Sequence, residues 1–411
     1  MANKMIAFGI AGTIVAGSLV GGSNTYASSF TDIHNHWAQS TITAAIKDGY
    51  AKGYEDGTFK PNGSVTRAEF ASMLTRGVKA PEGDYGNSFS DIPQGHWASE
   101  SISKAAILGF INPEDYSDGK FAPNTVMTRF EMAQWFSNGL VKSDPSFALA
   151  LKEVEGTILP FTEFYRNGFS KKQVNDLSLM LGTGVISGYV DGSFGGNRNV
   201  TRAETISMLY RYLAVEGQDA TQYRELNELR EVGMTGTNLV AMTDYEYDDK
   251  NVTFNDIWGK SLQLNYDIAD LKLYHVIVID LYKDAKYKSV YTNMFGVEDN
   301  TKMVRVADRT HDLRYVVYTD FALTTKEDAP ETMAILNSTT SRVSNISPMP
   351  STYGSKYGYS VLDYKDAFNH YKAGQTVRAW AYGTGLGKLQ GDSDTTTAID
   401  GSEVYIGIPV K

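Results

Sequence analysis

The chain has 411 residues, 38 Lys and Arg against 48 Asp and Glu, a formal net charge of −10 and no cysteine. That balance argues against general nucleic-acid binding. The missing thiol excludes a disulfide framework and cysteine-centred catalysis. A single Lys4 precedes an apolar run from Met5 to Val20, and Thr25-Tyr26-Ala27 stands before Ser28. This predicts a secretory signal peptide over 1–27, cut after Ala27, and so a secreted protein with no membrane association after cleavage. The run is short and broken by glycines, which disfavours a retained anchor.

One motif then recurs three times: Val65-Thr66-Arg67-Ala68-Glu69, Met127-Thr128-Arg129-Phe130-Glu131 and Val200-Thr201-Arg202-Ala203-Glu204. Each copy follows a glycine turn, at Gly57, Gly119 and Gly192, spaced 62 and then 73 residues apart. Such repetition means one supersecondary unit used three times. The first two units also share an opening, Phe30-Thr31-Asp32-Ile33 before His36-Trp37-Ala38 and Phe89-Ser90-Asp91-Ile92 before His96-Trp97-Ala98. Thr66, Thr128 and Thr201 sit at helix N-caps, with Glu69, Glu131 and Glu204 at the third helical position. That spacing predicts three capping boxes. Each unit reads helix, loop, helix, over 28–80, 81–143 and 144–214. The third is divergent. Phe161-Thr162-Glu163-Phe164 stands for its opening, no His-Trp follows, and Gly168-Phe169 occupies that place.

This arrangement resembles the S-layer homology domain, over about residues 30 to 213. The resemblance implies an α-helical pseudo-trimer anchored non-covalently to the cell wall of a Gram-positive-type bacterium. Grooves between repeats would bind the secondary cell wall polymer, a pyruvylated saccharide. Arg67, Arg129 and Arg202 would then meet the pyruvate carboxylate, for which an Arg fork is suited. Trp37 and Trp97 would pack on sugar rings. Asp32 and Asp91, with Glu163 as their counterpart, would accept from sugar hydroxyls. The competing readings are a solvated Arg beside an N-cap, a core Trp, and an Asp that caps a turn. The third copy implies unequal grooves. Leu159-Pro160-Phe161-Thr162-Glu163 approaches a sortase signal but lacks its glycine and lies mid-chain, so covalent anchoring is not expected.

Residues 215–411 read as a self-contained, all-β, sandwich-like domain of no recognised family. A short helix is expected over 220–231. Strands are expected at 262–268, 274–279, 302–306, 313–318, 376–382 and 403–408. His275, His311 and His370 lie in no metal-protease spacing, and no Gly-x-Ser-x-Gly elbow occurs. Asp267, Asp270 and Asp280 are candidates for a glycosidase pair. The Gly391-Asp392-Ser393-Asp394 loop with Asp400-Gly401 is oxygen-rich enough for calcium but lacks EF-hand spacing. No other cofactor is expected.

The expected function is wall anchoring and display of a structural, S-layer-like or adhesion-type domain, with self-association or other surface proteins as partners. The alternative is a wall-anchored hydrolase with its active site in the C-terminal domain.

Overall fold

The computed structural model describes residues 30–78, 86, 89–166, 168–264, 267–280, 288–295, 313–328, 346–367, 370–383, 386–387 and 393–409. The expected signal peptide, the strand at 302–306, His311, Gly391 and Asp392 lie outside them. Among the described residues no helix is long and apolar enough to cross a membrane.

Two compact units emerge, and they do not divide at one point in the sequence. The first comprises 1–149, 179–190 and 195–222, and the second 150–178, 191–194 and 223–411. The third repeat is thus shared between them.

The first unit is helical. Each of the first two repeats opens with a short helix, α1 (Gln39–Lys47) and α3 (Ser99–Ile107). Each then sends a longer one inward, α2 (Arg67–Gly77) and α4 (Arg129–Ser143). Helices α5 (Pro145–Glu153) and α6 (Lys171–Gly182) each have residues in both units, and the inward helix of the third repeat, α7 (Arg202–Val215), lies in the first. The apolar faces of α2, α4 and α7 form the core. Phe70 meets the Phe136 ring edge-on at 5.4 Å, and Phe136 stacks on Tyr212 at 4.8 Å. Gly139 lets Phe110 and the Tyr212 hydroxyl pack on α4, because a Cβ there would stand 2.2 Å from the Phe110 ring and 2.6 Å from that hydroxyl.

Full capping boxes close α2 and α7. At α4, Thr128 accepts from the Glu131 amide, but the Glu131 carboxylate turns away to Arg67 (2.6 Å) and the Tyr116 hydroxyl (3.3 Å). A stronger charged partner wins over the cap amide.

The second unit is mainly antiparallel sheet. Its strands are β1 (Glu246–Tyr247), β2 (Ala269–Asp280), β3 (Leu313–Thr325), β4 (Ile346–Ser347), β5 (Thr376–Gly383), β6 (Leu386–Gly387), β7 (Ser393–Thr397) and β8 (Glu403–Gly407). A five-stranded sheet runs β2-β3-β5-β4, with β6 also pairing β3, and a three-stranded sheet runs β1-β8-β7. Both contribute to one core: Leu271, Leu273, Val317 and Phe321 from the larger sheet, Val404 and Ile406 from the smaller. Two sheets sharing a core is the sandwich logic expected. The unit also holds α8 (Arg224–Thr235), starting later and running further than the helix expected over 220–231. Residues 262–268 form no strand among those described; Leu262 makes only an isolated bridge to Ala398.

Candidate functional site

The three motif segments close on one another as a ring. The Val65 amide donates to the Val200 carbonyl (3.1 Å), Val200 to Met127 (3.0 Å) and Met127 to Val65 (2.8 Å). Each inward helix then donates its first amides to the loop of the next repeat. Arg67 donates to the Thr125 carbonyl, Arg129 to that of Arg198 and Arg202 to that of Gly63, at 2.9, 3.0 and 2.9 Å. The first orphan amide of each inward helix is thereby satisfied between repeats, while the N-cap threonine satisfies the third within its own repeat. This ties the copies together with pseudo-threefold symmetry.

The three Arg side chains follow the same path. Arg67 donates through Nε to Glu131 and through Nη1 to the Phe121 carbonyl (2.8 Å), over the Tyr116 ring. Arg129 donates through Nη2 to the Ser187 carbonyl (2.9 Å), over Tyr189. Arg202 donates to the carbonyls of Phe59 (2.9 Å) and Lys52 (2.8 Å), over Tyr54 and Phe59. Arg129 and Arg202 are buried at 1% and 4% exposure, which sets them apart from a solvated side chain. Nη2 of Arg67 and Nη1 of Arg202 have no hydrogen-bond partner among the described residues. Burial raises the Glu131 carboxyl, and the neighbouring Arg67 opposes that shift.

The acids hold the loops. Asp32 accepts from the amides of Phe59 (2.9 Å) and Lys60 (2.7 Å), and Asp91 from Phe121 and Ala122, both at 2.8 Å. Glu163, in the second unit, accepts from the Phe194 amide at 3.0 Å. The longer Glu does for its loop what Asp does for the others. Behind those amides the backbone turns left-handed, with φ of 57° at Lys60, 52° at Ala122 and 69° at Gly195.

Trp37 and Trp97 stand outside this network. They are 58% and 62% exposed, more than any other large apolar side chain among the described residues. Each indole is backed by the preceding imidazole, His36 at 5.5 Å and His96 at 5.7 Å between ring centroids. The imidazoles are themselves fixed. His36 Nδ1 accepts from the Ala38 amide and His96 Nδ1 from the Ala98 amide, both at 3.2 Å. In the third repeat Phe169 packs edge-on to Phe161 instead.

A family model for the S-layer homology domain matches residues 29–71, 88–133 and 171–206. The chain carries three S-layer homology repeats. It is 34% identical over 31% of its length to cell surface glycoprotein 1 of Acetivibrio thermocellus, covering 6% of that protein. It is 28% identical over 40% of its length to a cellulosome-anchoring protein of the same organism, covering 35% of it. It is 28% identical over 57% of its length to an S-layer protein of Bacillus licheniformis, covering 26% of it. The chain therefore spans a minor part of each of these relatives. The repeats place it among secreted, cell-surface proteins.

Sequence reasoning missed the tyrosines under the Arg residues. Tyr54, Tyr116 and Tyr189 each lie three residues before a turn glycine, so the signal was present in the repeat itself. In the second unit the three Asp candidates do not converge. Asp267 and Asp270 share Lys326, while Asp280 ends β2, about 30 Å further along the strand. Asp400 pairs with Lys260 at 2.8 Å, which with the Ser402 amide holds its carboxyl down at about 2. Asp394 is buried within β7. His370 is exposed.

Proposed function

We propose that the repeats fix this chain non-covalently to the cell wall by binding the secondary cell wall polymer, and that the β-rich unit is the part displayed. The observation that carries this is the pair of equivalent, exposed, imidazole-backed indoles at Trp37 and Trp97. A fixed aromatic face is suited to the apolar face of a sugar ring and loses little side-chain entropy on binding. Beside each repeat's loop an Arg keeps one amino group for an anionic group, Nη1 of Arg202 for the first and Nη2 of Arg67 for the second. A pyruvate ketal supplies that anion. Asp32, Asp91 and Glu163 act on the polymer through the loops they hold, and Arg129 through the wall it builds with Tyr189.

Two grooves therefore carry binding, and the third repeat, without a Trp, contributes little. The displayed unit serves an S-layer-like, structural or adhesive role, meeting copies of itself or other surface proteins. The full chain is expected to sediment with purified sacculi and to remain in solution once the secondary polymer is stripped from them. Sedimentation with the stripped sacculi would overturn the ligand assignment.

A further inference from the structure

The larger sheet of the second unit has two faces, and only one is used by the core described above. Alternation along the strands puts Leu271, Leu273, Val317, Phe321 and Ala379 on the core face. A bulge at Tyr274 breaks the register between Leu273 and His275. It brings His275 level with Asp320 on β3, which is level with Trp380 on β5. This row floors a cavity of about 760 Å³, within the range of small-molecule sites. The opposite wall comes from the front of the third repeat, including Phe164 and Asn175.

The floor is built with paired polar groups. Asp320, 7% exposed, receives Nε and Nη2 of Arg378 at 3.3 and 3.1 Å, and His275 Nδ1 lies 3.2 Å from its Oδ2. The Arg378 guanidinium rests on the Tyr274 ring at 3.9 Å, so the fork is fixed in place. Its Nη1 has no partner among the described residues. Across the cavity, Asn175 Oδ1 is buried without a hydrogen-bond partner. A buried acceptor left unmade is costly, so a turn of this half-buried amide that brings Oδ1 into the cavity to meet a ligand's donor is favoured. Aromatic surface is supplied by the half-buried Phe164 and Phe169, while Trp380 is buried in the floor, its ring near-parallel to His275 at 6.3 Å.

The charges in the wall cancel. Arg378 is matched by Asp320, and Lys171 by Glu155. The cavity thus offers an acceptor, a fixed donor and ring faces without net charge. We propose that it is a second carbohydrate site, distinct from the repeat grooves, that takes a neutral, hydroxyl-rich oligosaccharide. Sugar hydroxyls donate to Asn175 Oδ1 and accept from Arg378 Nη1, and a ring face packs on the aromatic wall.

The test is calorimetric titration of the full chain with cellotriose and with triacetylchitotriose, using trigalacturonic acid as the charged comparator. Saturable binding of a neutral trisaccharide is expected. Arg378→Lys keeps the Asp320 charge partnered but loses the planar fork, and Asn175→Ala removes the acceptor; each should weaken binding about tenfold or more. Phe164→Ala, at a half-exposed site, should weaken it while leaving the fold intact. A Trp37→Ala/Trp97→Ala chain should bind the trisaccharide normally, which separates this site from wall anchoring. The proposal is overturned if neither neutral sugar binds or if trigalacturonate is preferred. It is equally overturned if the cavity variants bind like the parent, or if the sugar is cleaved.

Discussion

At the residue scale, the loop after each turn glycine shows how local strain and hydrogen bonding are matched. Lys60 and Ala122 adopt left-handed backbone that costs a non-glycine residue about 1–2 kcal/mol. Asp32 and Asp91 compensate by binding the amides there. In the third repeat the strained position is Gly195, which escapes the penalty. Ala122→Gly is therefore expected to stabilise the first unit by about 0.5–1 kcal/mol, after the extra chain entropy of glycine is subtracted. Thermal denaturation measures it, and a destabilised variant would show that the loop is not strained. The Arg and Trp positions should separate cleanly. Arg129→Ala removes a buried charged donor and is expected to cost about 2–4 kcal/mol of stability. Trp37→Ala with Trp97→Ala should leave the melting temperature nearly unchanged and abolish wall sedimentation. These positions were legible as a triplet of Arg and a pair of Trp. The burial of Arg129 and Arg202 was not, because it depends on the carbonyls that a neighbouring repeat presents, and sequence spacing carries no information on that.

At the element scale, the caps, the inward helices and the strands rich in β-branched residues were legible because each follows a local pattern. The departures arise where tertiary partners override it. Glu131 leaves its cap for Arg67, and the alternating stretch at 262–268 forms no strand among the described residues. Helix α8 carries a further element-level device. Glu228 accepts from Asn238 Nδ2, Ser289 Oγ and the Val290 amide, and Glu231 from the amides of Val240 and Ala241. Burial pushes the Glu231 carboxyl up from 4.5 to about 8, against the pull of those amides. Between 4.5 and about 8 the folded chain holds a proton that the unfolded chain has released. Stability of the second unit should therefore fall as pH rises through that window and level off above it. Glu231→Gln should flatten the slope. A chain whose melting temperature is constant from pH 5 to 8 would contradict the shift.

At the scale of the whole molecule, the third repeat is where sequence order and compactness part. Its divergence was legible in the missing His-Trp. The use made of its front half was not, because nothing local marks the partners. Within the second unit, Tyr291 donates to the Ile158 carbonyl at 3.0 Å, Arg230 pairs with Glu153 at 2.5 Å and Tyr165 meets Tyr359 at 5.1 Å. A fragment spanning 215–411 lacks those partners. It is expected to melt lower and less cooperatively than one spanning 150–411, and equal transitions in the two would show that the front of the third repeat is dispensable. Under the proposed function the whole chain holds to the wall through its repeats and a pyruvylated polymer. Calorimetric titration of the full chain with that polymer, purified intact and again after removal of its pyruvate, tests this most directly. Saturable binding to the intact polymer is expected, lost in the Trp37→Ala/Trp97→Ala chain and sharply weakened once the pyruvate is gone. Equal affinity for both polymer forms, or undiminished binding by the double variant, would contradict it.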